Sequence, residues 1–572
     1  MSGANRQPPD AVDDEPNDDG RPWVDGLTIP QVLSATAARY PDHEAVVFPY
    51  RSFRMRYREF SAEVDRAARG LLALGIEPGQ HVAVWATNVP EWVLLQFASA
   101  RIGAVLVTIN PAYRPYELEY VLNQCDAVAL LLVSRFKTSD YYAMLEEVCP
   151  ELKTTAPGDL HCEKFPRLRW IVGFEKHAPP GGMTWHDMCD LADAVPAARL
   201  EAIGRTLAAG QPVNIQYTSG TTGFPKAATL SHRNLLMNVF HFGQCLHLTA
   251  EDRMCIPVPF YHCFGCVLGT TCAVVHGAAM IIPAESFNPA ATLEAVERER
   301  ATCLYGVPTM FIAELHDPTF AQRDLRSLRT GLMSGSPCPI EVMRQVVDRM
   351  GIREITIGYG QTEASPIITQ TRADDPLQLR CETVGGPIEG VEVKIVDPQS
   401  GAELGNGQQG ELCARGHLVM LGYYKNPDAT RAAIDPDGWL HTGDLAIRLP
   451  SGYYRITGRI KDLVIRGGEN IYPREIEEFL FTHPAVEQAA VVGLPDPKYG
   501  EELCAWIKLK PGAACGVEEI RQYCRNELAH FKVPRYVKFV EHFPQTVTGK
   551  IQKFKIRETM IGELGLAAQE TA

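Results

Sequence analysis

The chain has 572 residues, 45% of them apolar and 22% charged, an ordinary balance for a globular protein with ample length for a large buried core. Its 55 basic side chains against 69 acidic ones leave a net charge of −14, a poor basis for general nucleic-acid binding, which needs clustered lysine and arginine. The 41 prolines and 47 glycines form no repeat or low-complexity tract, and length alone points to about four units of ~150 residues.

Residues 1–26 read as a disordered acidic arm, carrying Asp10, Asp13, Asp14, Glu15, Asp18 and Asp19. No apolar run of the secretory kind opens the chain, so the 16 cysteines are expected to be reduced thiols in a cytosol. The last three residues, Glu570-Thr571-Ala572, match neither a prenylation box nor a peroxisomal tripeptide. Order is expected from Leu27. Tyr57, Phe60, Val64, Ala67, Ala68, Leu71 and Leu72 recur at helical spacing, with Gly75 as the stop. His81 to Ala86 predicts a strand, Trp92 to Ala100 a helix, and the apolar run Ala127 to Val133 a buried strand. Such alternation defines an α/β layered architecture. Val213, Ile215 and Tyr217 alternate into a glycine-rich loop, and Asn288-Pro289 caps a helix running to Arg300.

The stretch from Cys263 to Ile282 imitates a membrane span, but three glycines interrupt it and no flanking charges support insertion. It reads as a buried strand or helix, with Cys263, Cys266, Cys272 and His276 as core side chains rather than a zinc site. Near residue 384 the texture changes to short strands, Val391 to Val396, Gly410 to Ala414 and Tyr453 to Ile456. After Gly458 it changes again. Pro473 begins a helix with Ile476, Phe479 and Leu480 on one face, Pro484 lies past its end, and Ala489 to Val492 is a strand. This tail is long enough for a small domain of its own.

The densest local signal is Thr218, Ser219, Gly220, Thr221, Thr222, Gly223, Phe224, Pro225 and Lys226, between a strand and a helix that Ser231 caps. Glycines let backbone amides approach phosphate oxygens, the hydroxyls add donors, and Lys226 adds a point charge. The ending Pro225-Lys226-Ala227 is not that of a Walker A loop. The plainer reading is a Ser/Thr/Gly surface turn.

This string resembles the phosphate-binding signature of the adenylate-forming superfamily: acyl- and aryl-CoA synthetases, peptide-synthetase adenylation domains and firefly luciferase. The resemblance continues in order along residues 27–560. Pro259-Phe-Tyr-His262 is similar to the aromatic gate before the acyl pocket. Ser334, Gly335, Ser336 and Pro337 resemble the adenine-side loop. Tyr359, Gly360, Gln361, Thr362 and Glu363 resemble the segment that stacks on adenine and carries a magnesium-linked carboxylate. His441-Thr-Gly-Asp444 is similar to the ribose-binding motif, Gly458-Arg459-Ile-Lys461-Asp462 to the hinge, and Thr548-Gly-Lys550 to the motif of the catalytic lysine. Asn110-Pro-Ala-Tyr113, Glu117 to Leu122 and Gly467 to Glu477 are similar to the medium-chain branch of acyl-CoA synthetase family member 2.

The resemblance implies an α/β fold. A large N-terminal domain over 27–460 holds two layered subdomains and a small β-barrel-like unit; a mobile α+β domain over 461–572 follows. It implies an AMP-forming fatty-acid–CoA ligase using ATP, Mg²⁺ and coenzyme A, with a small carboxylic acid as substrate and neither nucleic acid nor membrane segment as partner. Catalytic positions fall on Lys550, His262, Thr218 and Glu363, with Glu363 the metal ligand. Asp444 and Arg459 face the ribose, Lys461 is the hinge, and Gly467, Gly468, Glu469 and Asn470 form the CoA-side loop. Tyr261, His262, Val307, Phe311 and Met333 are candidates for the acyl pocket. Taken alone, His262 reads as a core histidine, Glu363 as a solvated loop residue, Asp444 as a turn aspartate and Tyr359 as core packing. An aryl-CoA ligase, an enzyme loading a carrier protein and a non-catalytic nucleotide binder stand as alternatives. Ala227 departs from the family, which often has glycine after the loop lysine; tuned rather than lost activity is expected.

Overall fold

The computed structural model describes residues 21–218, 225–336, 338–467, 469–546 and 549–566. The first 20 residues of the acidic arm, the loop tip from Ser219 to Phe224, and Pro337, Gly468 and Thr548 lie outside the described residues.

Helices form where the apolar spacing demands them. Tyr57–Ala73 buries Phe60, Val64, Ala67, Ala68, Leu71 and Leu72, all at most 2% exposed. Burying each of the larger of these side chains stabilises the fold by about 1.5–3 kcal/mol. Ser231 caps His232–Cys245 by accepting the Asn234 amide, and Asn288 caps Pro289–Glu299 by accepting the Ala291 amide. The other expected elements appear as His81–Trp85, Pro90–Arg101, Ala127–Leu132, Pro473–Phe481 and Val486–Asp496. Order begins slightly earlier than expected, since Val24 is already 1% exposed.

Two parallel-rich sheets make the body. One carries His81–Trp85, Val105–Thr108, Ala127–Leu132, Trp170–Gly173 and Pro212–Thr218, with Lys226–Ser231 and Gly422–Tyr423 added antiparallel at one edge. In the other, Ala279–Ile281, Arg253–Cys255, Cys303–Gly306, Thr330–Met333 and Glu354–Gly360 lie parallel and side by side. Open parallel sheets bind ligands beyond the carboxyl ends of their strands. Here those ends deliver the sequence motifs. Thr218 ends its strand, the segment to His262 follows Cys255, Val307 follows Gly306, Ser334 follows Met333, and Tyr359 and Gly360 end theirs.

A four-stranded antiparallel sheet of Val391–Val396, Gln409–Gly416, Leu440–Arg448 and Tyr454–Arg459 follows. The tail has a separate sheet, in which Val486–Asp496 and Gly500–Leu509 form a long hairpin. The packing cores divide between Ile456 and Val464. Every buried member of the two large cores lies at or before Ile456, and every buried member of the two small ones at or after Val464.

The span-like stretch breaks into Cys263–Gly265, Cys266–Thr271 and Cys272–His276, then the strand Ala279–Ile281, all within the core. Among the described residues no helix is long and apolar enough to cross a membrane. Its thiols have separate partners: Cys263 contacts the Thr362 hydroxyl, Cys266 accepts from Gln216, and Cys272 donates to the Val239 carbonyl. All 16 cysteines are free, and all but Cys338 and Cys515 are buried.

Candidate active site

Thr218 and Lys226 face each other in register across the antiparallel pair that brackets the glycine-rich loop. The Thr218 hydroxyl donates to the Lys226 carbonyl at 3.3 Å, closing the loop at its base. The Lys226 side chain is exposed, with its ammonium 5.0 Å from the centre of the Tyr423 ring. The Tyr423 hydroxyl donates to Oε1 of Glu363 at 2.8 Å. One aromatic side chain thus joins the loop lysine to the acid of the Tyr-Gly-Gln-Thr-Glu segment. Glu363 is 9% exposed, and its carbonyl accepts the Met420 amide.

Tyr423 carries no local signal in sequence; it is a tyrosine on a two-residue edge strand. Its hydrogen bond to an ionised carboxylate is of a kind worth about 1.5–3 kcal/mol. Tyr423→Phe keeps the ring beneath Lys226 and removes that bond. If the chain forms acyl-adenylates, as the resemblance implies, that activity is expected to fall by roughly 10- to 100-fold, the kinetic equivalent of that energy. Pyrophosphate exchange measured against magnesium concentration checks this, with the magnesium requirement moved upward and the melting temperature nearly unchanged.

Asp444 is 5% exposed and held from two sides. Tyr359 donates its hydroxyl to Oδ2 at 2.8 Å, and Arg459 places Nε 2.9 Å from Oδ1. Asp444 and Arg459 are register partners in the antiparallel sheet, so the pair follows from strand pairing. Gly443 has φ of +70°, at a bulge within the strand Leu440–Arg448. Its amide donates to Oε1 of Glu411 at 2.9 Å, while His441 Nδ1 donates to Oε2 of the same carboxylate at 2.9 Å. Glu411 is a second residue that sequence reasoning did not single out; it orients the ribose-motif turn from behind.

Gly360 is required by close approach: a Cβ there would lie 1.8 Å from the Pro366 carbonyl oxygen. Ser334 donates its hydroxyl to the Gly358 carbonyl at 2.7 Å, tying the adenine-side loop to the neighbouring strand. Gly335 is exposed, while Ser334, Ser336, Gln361 and Pro225 are half-buried and Thr362 is buried. Ala227 is 1% exposed within its strand, where its methyl fills core space.

His262 accepts the Phe264 amide on Nδ1 at 3.1 Å and so caps the turn Cys263–Gly265. That bond assigns the ring proton to Nε2. Burial lowers its pKa to about 4, with the Lys550 charge adding to the effect, so the ring is neutral at pH 7. Tyr261 packs edge-on against it, ring centres 6.3 Å apart.

Lys550 arrives from the tail. Its amide donates to the Thr546 hydroxyl at 3.1 Å, and the adjoining Gly549 is seated on the body: a Cβ there would lie 2.7 Å from Thr309 Oγ1 and 3.1 Å from Val307 Cγ2. The Lys550 ammonium interacts electrostatically with Arg459, Asp444, Asp462 and Glu363. Burial, then Arg459, lowers its pKa to about 8, against the opposing pull of the three acids. The structure therefore gathers Thr218, Lys226, Glu363, Tyr359, Asp444, Arg459, His262 and Lys550 around the carboxyl ends of two sheets.

Other positions stand apart. Lys461 is exposed on the short turn Ile460–Asp462, between the large and small cores. Gly467, Glu469 and Asn470 are exposed at a hairpin turn of the tail. Phe311 and Met333 are fully buried in the core that also holds Cys255 and Leu304, whereas Val307 packs in the core of Phe264 and Tyr305.

A family model described as AMP-binding enzyme matches residues 33–424, and one described as the AMP-binding enzyme C-terminal domain matches 475–550. The chain belongs to the AMP-binding enzyme family. It is 52% identical to the Bacillus subtilis (strain 168) protein YngI, whose name places it among acyl-CoA synthetases, over 95% of this chain and 99% of that one. It is 44% identical to the mitochondrial medium-chain acyl-CoA ligase ACSF2 of Danio rerio, over 94% of this chain and 89% of the relative. In structure it is similar to the anthranilate CoA ligase AuaEII in complex with anthranoyl-AMP, with a TM-score of 0.83 at 27% identity, covering 95% of this chain and 98% of that one.

Proposed function

We propose that the chain is an AMP-forming acid–thiol ligase that converts medium- to long-chain fatty acids to their coenzyme A thioesters. In the first half-reaction a carboxylate oxygen attacks the α-phosphorus of ATP and the bond to pyrophosphate breaks, leaving an acyl-adenylate. In the second, the sulfur of coenzyme A attacks the acyl carbon and AMP departs with the electron pair of the broken C–O bond. One observation carries this reading: Lys550 of the tail lies within electrostatic reach of Asp444, Glu363 and Arg459 of the body.

The first step brings two anions together, so fixed cations and oriented donors must offset their repulsion. Lys550 and Lys226 supply the charge, and Thr218 with the loop Ser219 to Pro225 holds phosphate oxygens. Asp444 accepts the ribose hydroxyl protons while Tyr359 and Arg459 hold it still. The Tyr359 ring, Gly360, Gln361, Thr362 and the loop Ser334 to Pro337 bound the adenine. Glu363, its Oε1 already oriented by Tyr423, would hold Mg²⁺ as a hard oxygen donor, and the ion would there offset phosphate charge. His262, neutral and itself the cap of its turn, gates the passage beside Tyr261 rather than acting as a base; an exposed thiol with a pKa of about 8.5 ionises appreciably unaided.

Lys550 and the thiol must reach the same carbonyl region in turn, so we assign 27–460 as the body and 461–572 as a unit that rotates about Lys461. Gly467, Gly468, Glu469 and Asn470 form the loop that docks in the second arrangement. Val307 lines the far side of the acyl site, with Phe311 and Met333 packed in the neighbouring core behind it. A reducing, cytosolic setting fits the 16 unpaired thiols.

Acid-dependent ATP–pyrophosphate exchange over straight-chain, aromatic and hydroxylated acids tests the substrate class, followed by thioester assay with coenzyme A and with a carrier protein. Straight-chain acids of medium length are expected to give the highest kcat/KM. A preference for benzoate- or anthranilate-type acids, or thioester formation on carrier protein alone, overturns this substrate assignment.

A further inference from the structure

Outside the nucleotide site three ligating side chains converge beside the first sheet. The helix Tyr141–Val148 ends on Cys149, the turn Pro150–Lys153 carries Glu151, and the loop before Trp170–Gly173 returns Cys162. Their two sulfurs and a carboxylate oxygen all lie within 4.8 Å of one another. Cys149 is 0% and Cys162 3% exposed. Glu151 is half-buried, its Oε2 is sealed from solvent, and its carboxylate faces both thiols. Thiols are weak donors, so a cation meeting this carboxylate and both sulfurs replaces little.

Two other clusters have comparable spacing, but their groups are committed. In Glu411–Cys413–His441, the carboxylate and ring bond each other and orient the Gly443 turn. In His483–Cys515–Glu519, the Glu519 side is exposed and His483 Nδ1 accepts the Ala485 amide.

We propose that Cys149, Glu151 and Cys162 bind one thiophilic divalent cation of the zinc type, with water in the fourth position. Two thiolates on a common tetrahedral zinc at about 2.3 Å sit roughly 3.8 Å apart, and a carboxylate ligand stands at about 2.0–2.2 Å from the metal. The observed spacing, within 4.8 Å, is close to what that geometry requires. Binding deprotonates both thiols, so each metal ion taken up releases two protons. The bound ion staples the 154–169 loop to the end of its helix.

Zinc is the probe, on the full chain. After equilibration with Zn²⁺ and dialysis against metal-free buffer, wild type is expected to retain one more equivalent than the Cys149→Ser/Cys162→Ser double variant. Cadmium titration is expected to show thiolate-to-metal absorbance that saturates with that same difference. Glu151→Gln keeps both sulfurs and is expected to weaken zinc binding by at least about tenfold. Pyrophosphate exchange, which uses none of these residues, reports that each variant is folded. Equal zinc content in wild type and double variant overturns the site. If the double variant does not fold, unchanged zinc affinity in Glu151→Gln overturns it instead. A Cys149–Cys162 disulfide in non-reduced protein that binds no zinc also overturns it.

Discussion

Replacing Lys550 with alanine is expected to slow acyl-adenylate formation by about 10²–10³-fold, the usual cost of losing one preorganised charge-stabilising group. Transfer from preformed acyl-adenylate to coenzyme A is expected to survive, because on this reading that half-reaction uses the other arrangement of the tail. The pH profile gives an independent readout. Burial has moved the Lys550 pKa down to about 8, so the free enzyme loses this charge as pH rises through that value. kcat/KM for ATP reports the free enzyme and is expected to fall above about pH 8. Bound phosphates favour the charged form, so the limb in kcat moves to higher pH. Arginine stays protonated throughout, and Lys550→Arg is expected to abolish the alkaline limb even at a lower plateau. An unchanged limb in that variant would assign the titration to another group.

The second large effect belongs to Asp444. Asp444→Asn preserves shape and can still accept the Tyr359 hydroxyl, but it loses the charge opposite Arg459 and one acceptor toward the ribose. KM for ATP is expected to rise about 10- to 100-fold, the size of one or two charge-assisted hydrogen bonds, with a smaller change in kcat. 2′-Deoxy-ATP separates ribose recognition from mere loosening. Wild type is expected to prefer ATP over it, and the variant to lose most of that preference. Equal penalties for both nucleotides in the variant would make Asp444 a support of the sheet and not a ribose acceptor. The Arg459 pair is 40% exposed on the arginine side, so its loss is expected to cost only about 1 kcal/mol of stability.

Much of this architecture was legible because it is written in periodicity and caps. The helix at Tyr57, the cap at Ser231 and the run from Ala127 all follow from local spacing, and local spacing is what sequence displays. The motifs were legible as ordered strings. Their convergence was not. Asp444 meets Arg459 through strand register, and Tyr359 reaches the same carboxylate from a different sheet. Tyr423 and Glu411 stayed hidden for the same reason: each acts through a partner 60 and 30 residues away, respectively, with no local pattern. The stretch after Cys263 also resisted assignment, since full burial erases the polar face that marks an amphipathic element; it proved to be broken helix followed by strand. Phe311 and Met333 show the limit for the acyl pocket. Both stand beside Val307 as acyl-pocket candidates in sequence, yet they pack in a different core from it.

Bulk charge revealed little of this site. A net −14 conceals Lys226 over the Tyr423 ring, and Arg459 and Lys550 within electrostatic reach of each other. The most direct test of the central claim is product analysis with octanoate, ATP, Mg²⁺ and coenzyme A. The account predicts octanoyl-CoA, AMP and pyrophosphate in equal amounts, with exchange of pyrophosphate into ATP before coenzyme A is added. Formation of ADP and phosphate, or no acid-dependent exchange with any carboxylic acid, would contradict it.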